Sequence, residues 1–353
     1  MKCLNLFIFS LIFGLSATFA QNVANESKSK KMLMPYALAF YNLENLFDTI
    51  NSNGTYDLEY SPQGVKKWNT DKYSRKINNM AYALSKLGKE ICPAGPTIIG
   101  VSEIENRKVL EDLVKTGDLA KQNLQIVHYD SPDLRGVDVA LLYNPAFFQV
   151  QSSRSFRLEV QGEPNFKTRD PLLVSGLMDG ERFHIIVNHW PSRSRGELQS
   201  RPLRVAAAQL NKSIADSLRK VEPDSKIIIM GDLNDDPTDV SLLKELDAKP
   251  KRQQASENDL FNPMAEIFAK GVGTLGYNGK WNLFDQIIIS GNLLGSDRTT
   301  FKFWKAEVFN PDFLIAKEGQ YKGHPLRTHS GNVFLNGYSD HFPVLVYFVK
   351  YAE

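Results

Sequence analysis

Cysteine is scarce in this sequence. The chain contains two cysteines, of which Cys3 lies in an apolar N-terminal leader and Cys92 precedes a proline. If the leader is removed, Cys92 is the only thiol left, so an intrachain disulfide is excluded. A chain of 353 residues is large enough to bury a stabilising core without disulfides. No set of Cys and His residues has the spacing of zinc ligands, which argues against a structural zinc site.

An excess of charge of one sign is also missing. The 42 Lys and Arg residues are nearly balanced by 40 Asp and Glu residues, and the formal net charge is +2. Proteins that hold nucleic acid mainly by long-range attraction carry a strongly basic surface. The overall charge therefore gives no indication of a nucleic-acid partner, and such a partner has to be argued from a site.

Long apolar runs are rare. The longest begins after Lys2 and continues to Leu15, and the small residues Thr18 and Ala20 follow it. One positive residue, a short apolar stretch and small residues at its end are typical of a secretory signal peptide. We therefore predict a signal peptide over residues 1–20.

The predicted leader has consequences for location. We expect an exported protein in the periplasm, on the cell surface or in the medium, with no stable membrane insertion. The apolar run is too short and too interrupted to span a bilayer comfortably, although an N-terminal anchor is an alternative interpretation. The remaining apolar runs have the length of strands.

After the leader, we predict a flexible spacer over residues 21–34 and one domain over residues 35–353. Apolar runs and periodicity predict alternating strands and helices, with hairpin-like neighbours that indicate mixed sheets. The predicted strands are 36–41, 97–101, 124–129, 137–143, 172–178, 182–188, 226–230, 284–290 and 343–349, and the predicted helices are 71–88, 106–116, 200–219 and 238–246. Residues 249–280 and 291–337 are predicted to be long surface loops, where substrates are often selected.

Acidic and amide side chains recur beside the ends of the predicted strands. These residues are Asn42, Glu44, Glu103, Asp232, Asn234, Asp285 and Asp340, with His341 next to the last. One such residue is common where a chain meets water, but several together suggest that carboxylates gather at one edge of the sheets. Hard divalent cations such as Mg²⁺ prefer oxygen ligands of this kind.

The motifs Gly231-Asp232-Leu233-Asn234 and Ser339-Asp340-His341, in this order, resemble those of the endonuclease/exonuclease/phosphatase superfamily. The segments 42–47 and 188–193 resemble a secreted bacterial branch of it. The resemblance covers residues 36–349 and implies an α/β four-layer sandwich, in which two mixed β-sheets pack face to face with helices on the outer faces. We expect a monomer.

The resemblance also implies a metal site. Glu103 matches the principal metal carboxylate, Asn42 the amide beside the metal, and Asp340 a second acid near it. The expected ion is Mg²⁺, with Mn²⁺ or Ca²⁺ as alternatives.

Catalytic and substrate-binding roles follow from the same resemblance. His341 matches the catalytic histidine, Asp285 the carboxylate that orients it, and His189 a histidine that contacts phosphate. Asp232 and Asn234 match the pair that orients water and the substrate phosphate. Two residues apart in an extended segment, they would face the same way.

Arg193 is a further candidate for binding phosphate, through its planar guanidinium. Glu44, Arg135 and Asp138 stay open between a site role and a structural one. Asp138 lies on an apolar strand, where an acid needs a partner.

The leading functional prediction is a secreted hydrolase, a nuclease or endonuclease that uses a metal-positioned water to cleave phosphodiester bonds. The first alternative is a phosphatase or phosphodiesterase acting on a small or lipid substrate, such as an inositol phosphate or sphingomyelin. The second alternative is an inactive binding module. The intact set of polar residues argues against the second alternative.

Overall fold

A computed structural model describes residues 32–50, 58–194 and 196–352. The predicted signal peptide and most of the predicted spacer lie outside these residues. No helix within the described part of the chain is long and apolar enough to cross a membrane.

Two large sheets dominate the fold, and both mix parallel and antiparallel pairs. The first has the strand order β14-β17-β1-β2-β4-β3. Its strands are β1 (Leu33–Leu46), β2 (Ile98–Ile104), β3 (Gln125–His128), β4 (Asp138–Tyr143), β14 (Lys302–Val308) and β17 (Val344–Tyr351). The parallel pair β1 and β2 forms its centre.

The second sheet has the strand order β5-β6-β7-β8-β13-β10-β9. Its strands are β5 (Phe148–Ser155), β6 (Leu172–Met178), β7 (Glu181–His189), β8 (Lys226–Asp232), β9 (Ala248–Lys249), β10 (Leu260–Phe261) and β13 (Asp285–Ser290). Two small hairpins complete the strands, one of β11 (Leu275–Tyr277) and β12 (Lys280–Asn282), the other of β15 (His329–Ser330) and β16 (Val333–Phe334).

The α-helices are α1 (Thr70–Lys86), α2 (Arg107–Val114), α3 (Glu197–Val221) and α4 (Met264–Phe268). Helix α3 begins at Glu197, so Pro202 lies inside the helix rather than at its start. The helix predicted over 238–246 is reduced to one π-helical turn, Ser241–Glu245. Asp247 follows with a left-handed φ of 56°, a conformation that ends a helix.

The core forms three layers of apolar side chains, because the central strands are buried on both faces. On β1, Leu38 and Phe40 point between the two sheets, while Ala39 and Tyr41 point to the layer under α1 and α2. This alternation is the period of two that a strand imposes. A third layer lies between the second sheet and α3. The order helix, sheet, sheet, helix confirms the predicted four-layer α/β sandwich.

Several elements depart from the prediction. Strand β14 lies inside the interval 291–337, and β10 and α4 lie inside 249–280, both of which were predicted to be loops; β9 ends at Lys249, the first residue of the second interval. Strand β5 was not predicted either. Strands β5 and β14 are outermost in their sheets, and their residues are mostly half-buried or exposed. Such strands lack the continuous apolar run by which the central strands are recognised.

Candidate functional site

Two bulges at the same end of the first sheet shape one half of the site. The pairing of β1 with β2 shifts register between Asn42 and Leu46, and that of β2 with β4 shifts between Ser102 and Ile104. Glu103 lies at the second bulge with a φ of 58°. Bulges re-aim side chains, and a left-handed backbone at a non-glycine residue is uncommon and concentrates at functional sites. Asn42 and Glu103 therefore lie within bulged strands, not beyond the strand ends.

The end of β8 supplies the second half. The backbone N–H of Asn234 donates to Asp232 Oδ1 at 3.0 Å, which closes a turn of the Asx type. Asn234 has a φ of 51°, and its Nδ2 donates to the carbonyl of Trp190 at 3.0 Å. The strand ends at Asp232, so this turn, and not an extended segment, sets the direction of the two side chains.

Gly231 shows why a glycine precedes Asp232. A Cβ added at Gly231 would lie 2.3 Å from the carbonyl oxygen of Asn188 on the neighbouring strand β7. No side chain fits at that distance, so the close approach of β7 and β8 requires glycine. The approach brings His189, the last residue of β7, level with Asp232 in the parallel register.

A histidine–aspartate pair lies next to Asp232. Asp285 opens β13 and faces Asp232 in the antiparallel register. The Nδ1 atom of His341 lies 2.6 Å from Asp285 Oδ2, and both side chains are buried. Ser339 holds this segment to the first sheet, since its hydroxyl donates to the Asn42 carbonyl at 2.7 Å and accepts the His341 N–H at 3.1 Å.

The two halves meet at the carboxylate of Asp232. Asn42 Nδ2 from the first sheet donates to Asp232 Oδ2 at 3.1 Å. The Nε2 atoms of His189 and His341 lie 3.6 Å and 3.9 Å from the same oxygen. His189 Nε2 is also 3.9 Å from Glu103 Oε1, so it lies between the two carboxylates. The structure thus brings together Asn42, Glu103, His189, Asp232, Asp285 and His341, with Asn234 at the margin.

Electrostatics differ between the two histidines. Burial lowers the pKa of His341, but the Asp285 carboxylate and its hydrogen bond outweigh this effect and raise that pKa well above its usual value. Burial, followed by Arg169 and Arg135, lowers the pKa of His189 well below its usual value. His341 is therefore a charged donor at neutral pH, whereas His189 is a neutral ring.

The carboxylates also differ. Burial raises the pKa of Asp232 to about 7, against the opposing charge of His341. Burial acts in the same direction on Glu103, but the charge of Arg135 and then of His341 outweighs it, and the pKa of Glu103 is lowered.

The donor set fits an oxygen-ligated divalent cation. Asp232 and Asp285 offer carboxylate oxygens, which lie with His341 in a cluster within 4.8 Å, although the protonated His341 ring has no lone pair for a cation. The Oδ1 atom of Asp285 is buried without a hydrogen-bond partner in the described ranges. Glu103 adds a carboxylate on the other side of Asp232, and the Oδ1 atom of the neighbouring Asn42 accepts the Glu44 N–H at 2.9 Å. Carboxylate and amide oxygens are the ligands of Mg²⁺, Mn²⁺ and Ca²⁺.

Asp340 lies at the rim of the cluster. Its Oδ2 accepts from Arg327 Nη2 at 2.6 Å, and its Oδ1 is 4.0 Å from His341 Nε2. The contacts of Asp340 are thus with Arg327 and with the His341 side of the cluster.

Arg193 is placed differently from the phosphate-binding role expected for it. Its guanidinium is buried, with Nε donating to the Asn234 carbonyl at 2.8 Å. Its Nη2 donates to Asp235 at 2.8 Å and to Asp239 at 2.6 Å. These bonds engage the planar fork with protein groups, so the geometry gives Arg193 the position of a brace for the Asn234 turn.

Glu44 and Lys76 form a buried anchor. Glu44 Oε2 accepts the N–H of Thr328 at 2.6 Å, and Lys76 Nζ donates to Thr328 Oγ1 at 2.5 Å and to the Tyr338 carbonyl. Together they tie the segment before Asp340 to β1 and α1. The sequence prediction did not include Lys76, yet it lies on the apolar face of α1 beside Ile77, and a charge on such a face is a detectable signal.

Two arginines near Glu103 complete the surroundings. Arg135 Nη1 lies 3.3 Å from Glu103 Oε1, and its Nη2 donates to Asn45. Arg169, which the sequence prediction did not include, is buried and donates to Asp133 at 3.2 Å and to the Trp190 carbonyl at 2.6 Å.

Asp138 lies in a separate structural pair. Its Oδ2 is 3.0 Å from His128 Nε2, and its Oδ1 accepts the Ser131 N–H at 2.9 Å and the Ser131 hydroxyl at 2.5 Å.

Solved structures with the same fold cover nearly the whole chain. An endonuclease/exonuclease/phosphatase family protein from Bacteroides thetaiotaomicron aligns with a TM-score of 0.53 at 16% identity, over 91% of this chain and 100% of that one. The human Nocturnin catalytic domain with bound sulfate aligns with a TM-score of 0.52 at 15% identity, over 92% and 99%. TDP2 from D. rerio, complexed with a single-strand DNA product, aligns with a TM-score of 0.52 at 11% identity, over 89% and 98%.

No curated protein matches the sequence significantly. The family model described as "Endonuclease/Exonuclease/phosphatase family" matches residues 37–350. This match includes both sheets and every residue of the site. The chain therefore belongs to the endonuclease/exonuclease/phosphatase family, whose members are metal-dependent phosphoesterases and nucleases.

Proposed function

We propose that this protein is a secreted, Mg²⁺-dependent nuclease that hydrolyses phosphodiester bonds by attack of a positioned water. The observation that carries the proposal is the convergence of two sheets on Asp232. Asn42 and Glu103 approach from the first sheet and Asp285 from the second, while His341 comes from the segment that precedes β17 of the first sheet. Such an arrangement of buried oxygen donors beside a charged histidine suits hydrolysis of a phosphate ester.

Glu103 and Asn42 would hold the divalent ion, with Asp340 on the far rim. Once bound, the ion would neutralise charge on the phosphate oxygens during attack. Mn²⁺ and Ca²⁺ suit the same oxygen donors.

Asp285 fixes the imidazole of His341 through the 2.6 Å contact at Nδ1, and this leaves Nε2–H facing the centre of the cluster. His341 thereby donates to a phosphate oxygen. Asp232 orients the attacking water and accepts its proton as the bond to phosphorus forms and the bond to the leaving ester oxygen breaks, and that oxygen takes a proton from solvent. His189 offers a neutral N–H, which supports a hydrogen-bonding role toward the substrate and not that of a proton source.

A nucleic-acid substrate is supported by two points. D. rerio TDP2, which shares the fold, is described with a single-strand DNA product. Arg135 and Arg169, which pair with Glu103 and Asp133, bring two guanidinium groups beside the position where a phosphate would lie.

Secretion is proposed from the leader over residues 1–20. An exported nuclease would meet nucleic acid in the surroundings of the cell. Mass spectrometry of the N-terminus of the mature protein tests this, with Gln21 expected as the first residue.

Hydrolysis by the mature chain, residues 21–353, is the decisive experiment. The substrates are plasmid DNA, RNA, bis-p-nitrophenyl phosphate and p-nitrophenyl phosphate, each with Mg²⁺, Mn²⁺ or EDTA. We expect metal-dependent nicking of DNA and turnover of the diester. Turnover of the monoester alone would replace the nuclease with a phosphatase, and no turnover of any substrate would leave a binding module.

The chain offers a matched control. His341→Ala removes the histidine of the site, whereas His128→Ala removes an equally buried histidine that pairs with Asp138 elsewhere. Activity that survives in His128→Ala and disappears in His341→Ala would assign the hydrolysis to this site and exclude a contaminating nuclease.

A further inference from the structure

A cavity of about 290 Å³ opens directly beside the catalytic cluster. It lies between the β11–β12 hairpin and the segment 320–327, and Asp340 forms part of its wall. Because Asp340 Oδ1 is 4.0 Å from His341 Nε2, a phosphate bound at His341 would present its substituent to this cavity. Pockets for drug-sized ligands measure roughly 300–1,000 Å³, so this cavity suits one compact group.

An aromatic stack fixes the shape of the cavity. The ring of Trp281 stacks on His324 at 4.6 Å and on Phe342 at 6.1 Å, with interplanar angles of 16° and 15°. Phe342 directly follows the catalytic His341. The stack therefore joins the hairpin and the segment 320–327 to the reaction centre.

Gly276 makes room for this arrangement. A Cβ at Gly276 would lie 2.6 Å from His324 Nδ1 and 2.7 Å from its Cε1, so any side chain there would displace the ring. Both residues line the cavity. A single methyl group at position 276 would thus change the cavity without touching Asp340 or His341.

The charges of the lining favour a neutral occupant. Arg327 and Asp340 form an ion pair at 2.6 Å, and the guanidinium of Arg327 also covers the ring of Tyr321 at 4.7 Å. Because these two charges are paired, the lining has no excess positive charge to bind a polyphosphorylated group. It also has no excess negative charge to bind a quaternary ammonium. Leu275 and Pro325 add apolar surface, and the Gln320 amide adds a donor and an acceptor.

We propose that this cavity is a specificity subsite that receives a nucleobase attached next to the scissile phosphate. A nucleobase is a compact, uncharged, planar group with hydrogen-bonding edges, and the cavity presents flat walls with amide, guanidinium and carboxylate groups at its rim. This inference rests on the proposed nuclease activity and adds to it a preference for substrates that carry a base beside the cleaved bond.

The test compares a thymidine dinucleotide with two analogues, in each of which one of the two bases is replaced by an abasic residue. Cleavage is followed by chromatography in the presence of Mg²⁺. Stacking and hydrogen bonding of one base should raise kcat/KM by about 5- to 150-fold over that of a substrate without the base. Wild-type protein should therefore cleave one of the abasic analogues more slowly by a factor in this range.

Two variants address the cavity, and one serves as a matched control. Gly276→Ala displaces the His324 ring, and Gln320→Trp fills the cavity from an exposed position. Both should lower cleavage of the dinucleotide to the rate of the slow analogue and leave that analogue unchanged. Lys322→Trp, two residues away and outside the lining, should retain the wild-type preference.

Equal cleavage of all three dinucleotides by wild-type protein would overturn the subsite, as would an unchanged preference in both cavity variants. Failure to cleave any dinucleotide while bis-p-nitrophenyl phosphate is hydrolysed would also overturn it, but would leave a metal-dependent phosphodiesterase. Failure on both kinds of substrate would instead overturn the proposed function.

Discussion

The histidine–aspartate pairs His341–Asp285 and His128–Asp138 both have buried side chains, and their surroundings differ. His341 lies 2.6 Å from Asp285, and His128 lies 3.0 Å from Asp138. The first pair faces Asp232, where the two sheets converge. In the second pair, Asp138 directs its other oxygen to Ser131 at the edge of the first sheet. A buried histidine–aspartate pair alone does not make a reaction centre. A reaction centre also needs polar groups that are free to contact the substrate, and space in which the substrate can bind.

The largest effect should come from removing each histidine in turn. His341→Ala is expected to lower kcat/KM for bis-p-nitrophenyl phosphate by about 10²- to 10⁴-fold, since a positioned proton donor is lost. His128→Ala should leave kcat/KM nearly unchanged but lower the free energy of unfolding by about 1–3 kcal/mol, because the Asp138 carboxylate loses a partner. Steady-state kinetics and thermal unfolding of both variants measure this. Equal losses of activity would remove the distinction between the pairs.

The aspartates allow a second comparison, with a smaller expected effect. Asp285→Asn should lower kcat by about 10- to 100-fold, because the neutral amide no longer stabilises the charged ring of His341. Losses of this size are typical when a residue that orients a functional histidine is removed. Asp138→Asn should change kcat by less than about twofold, because it does not touch the cluster. The same diester assay applies, and a large effect of Asp138→Asn on kcat would contradict the assignment.

The dependence of activity on Mg²⁺ should also distinguish the candidate site from the His128–Asp138 pair. EDTA should abolish hydrolysis, and Glu103→Gln should raise the Mg²⁺ concentration for half-maximal activity by about 10- to 100-fold, because a charged ligand is lost. Asp138→Asn should leave the Mg²⁺ titration unchanged. A wild-type titration curve in Glu103→Gln would show that the ion is held elsewhere.

Another buried histidine, His329, extends the comparison to stability. Burial, followed by Lys66, Lys76 and Lys72, lowers the pKa of His329 to about 3. The unfolded chain therefore binds a proton that the folded chain rejects between about pH 6.5 and 3. Stability should fall as the pH falls through this window, by at most about 1.4 kcal/mol per pH unit.

His329→Phe should reduce the loss of stability between about pH 6.5 and 3. Phenylalanine fits among the neighbouring rings of Trp68 and Phe334 and cannot take up a proton. Denaturant unfolding at a series of pH values measures the slope. If the free energy of unfolding of the variant falls as steeply with decreasing pH as that of the wild type, the pH dependence comes from other groups.

Much of the fold followed from the sequence, because its central strands are continuous apolar runs. Strand β14 escaped prediction because an outermost strand packs on one side and mixes lysines with aromatic residues. The interval 291–337 therefore resembled a loop.

The residues now gathered at the site were found through short motifs, each of which spans a few residues. The contacts that hold those motifs together were not predictable in the same way. Glu44 reaches the N–H of Thr328 across 284 positions of sequence, and Asn42 reaches Asp232 across 190. Such pairings depend on how two sheets face each other, which no local pattern contains. The position of Arg193 was not predictable for the same reason, since its partners come from the turn after β8.

Whether Asp285 acts through His341 is the most direct question about this site, because Asp285 could instead be a metal ligand in its own right. The measurement is a double-mutant cycle on kcat/KM for bis-p-nitrophenyl phosphate, with Asp285→Asn, His341→Ala and the double variant. If Asp285 only orients His341, the double variant should be no slower than His341→Ala, because effects within one unit are not additive. Losses that multiply in the double variant would contradict the account and place Asp285 on the metal.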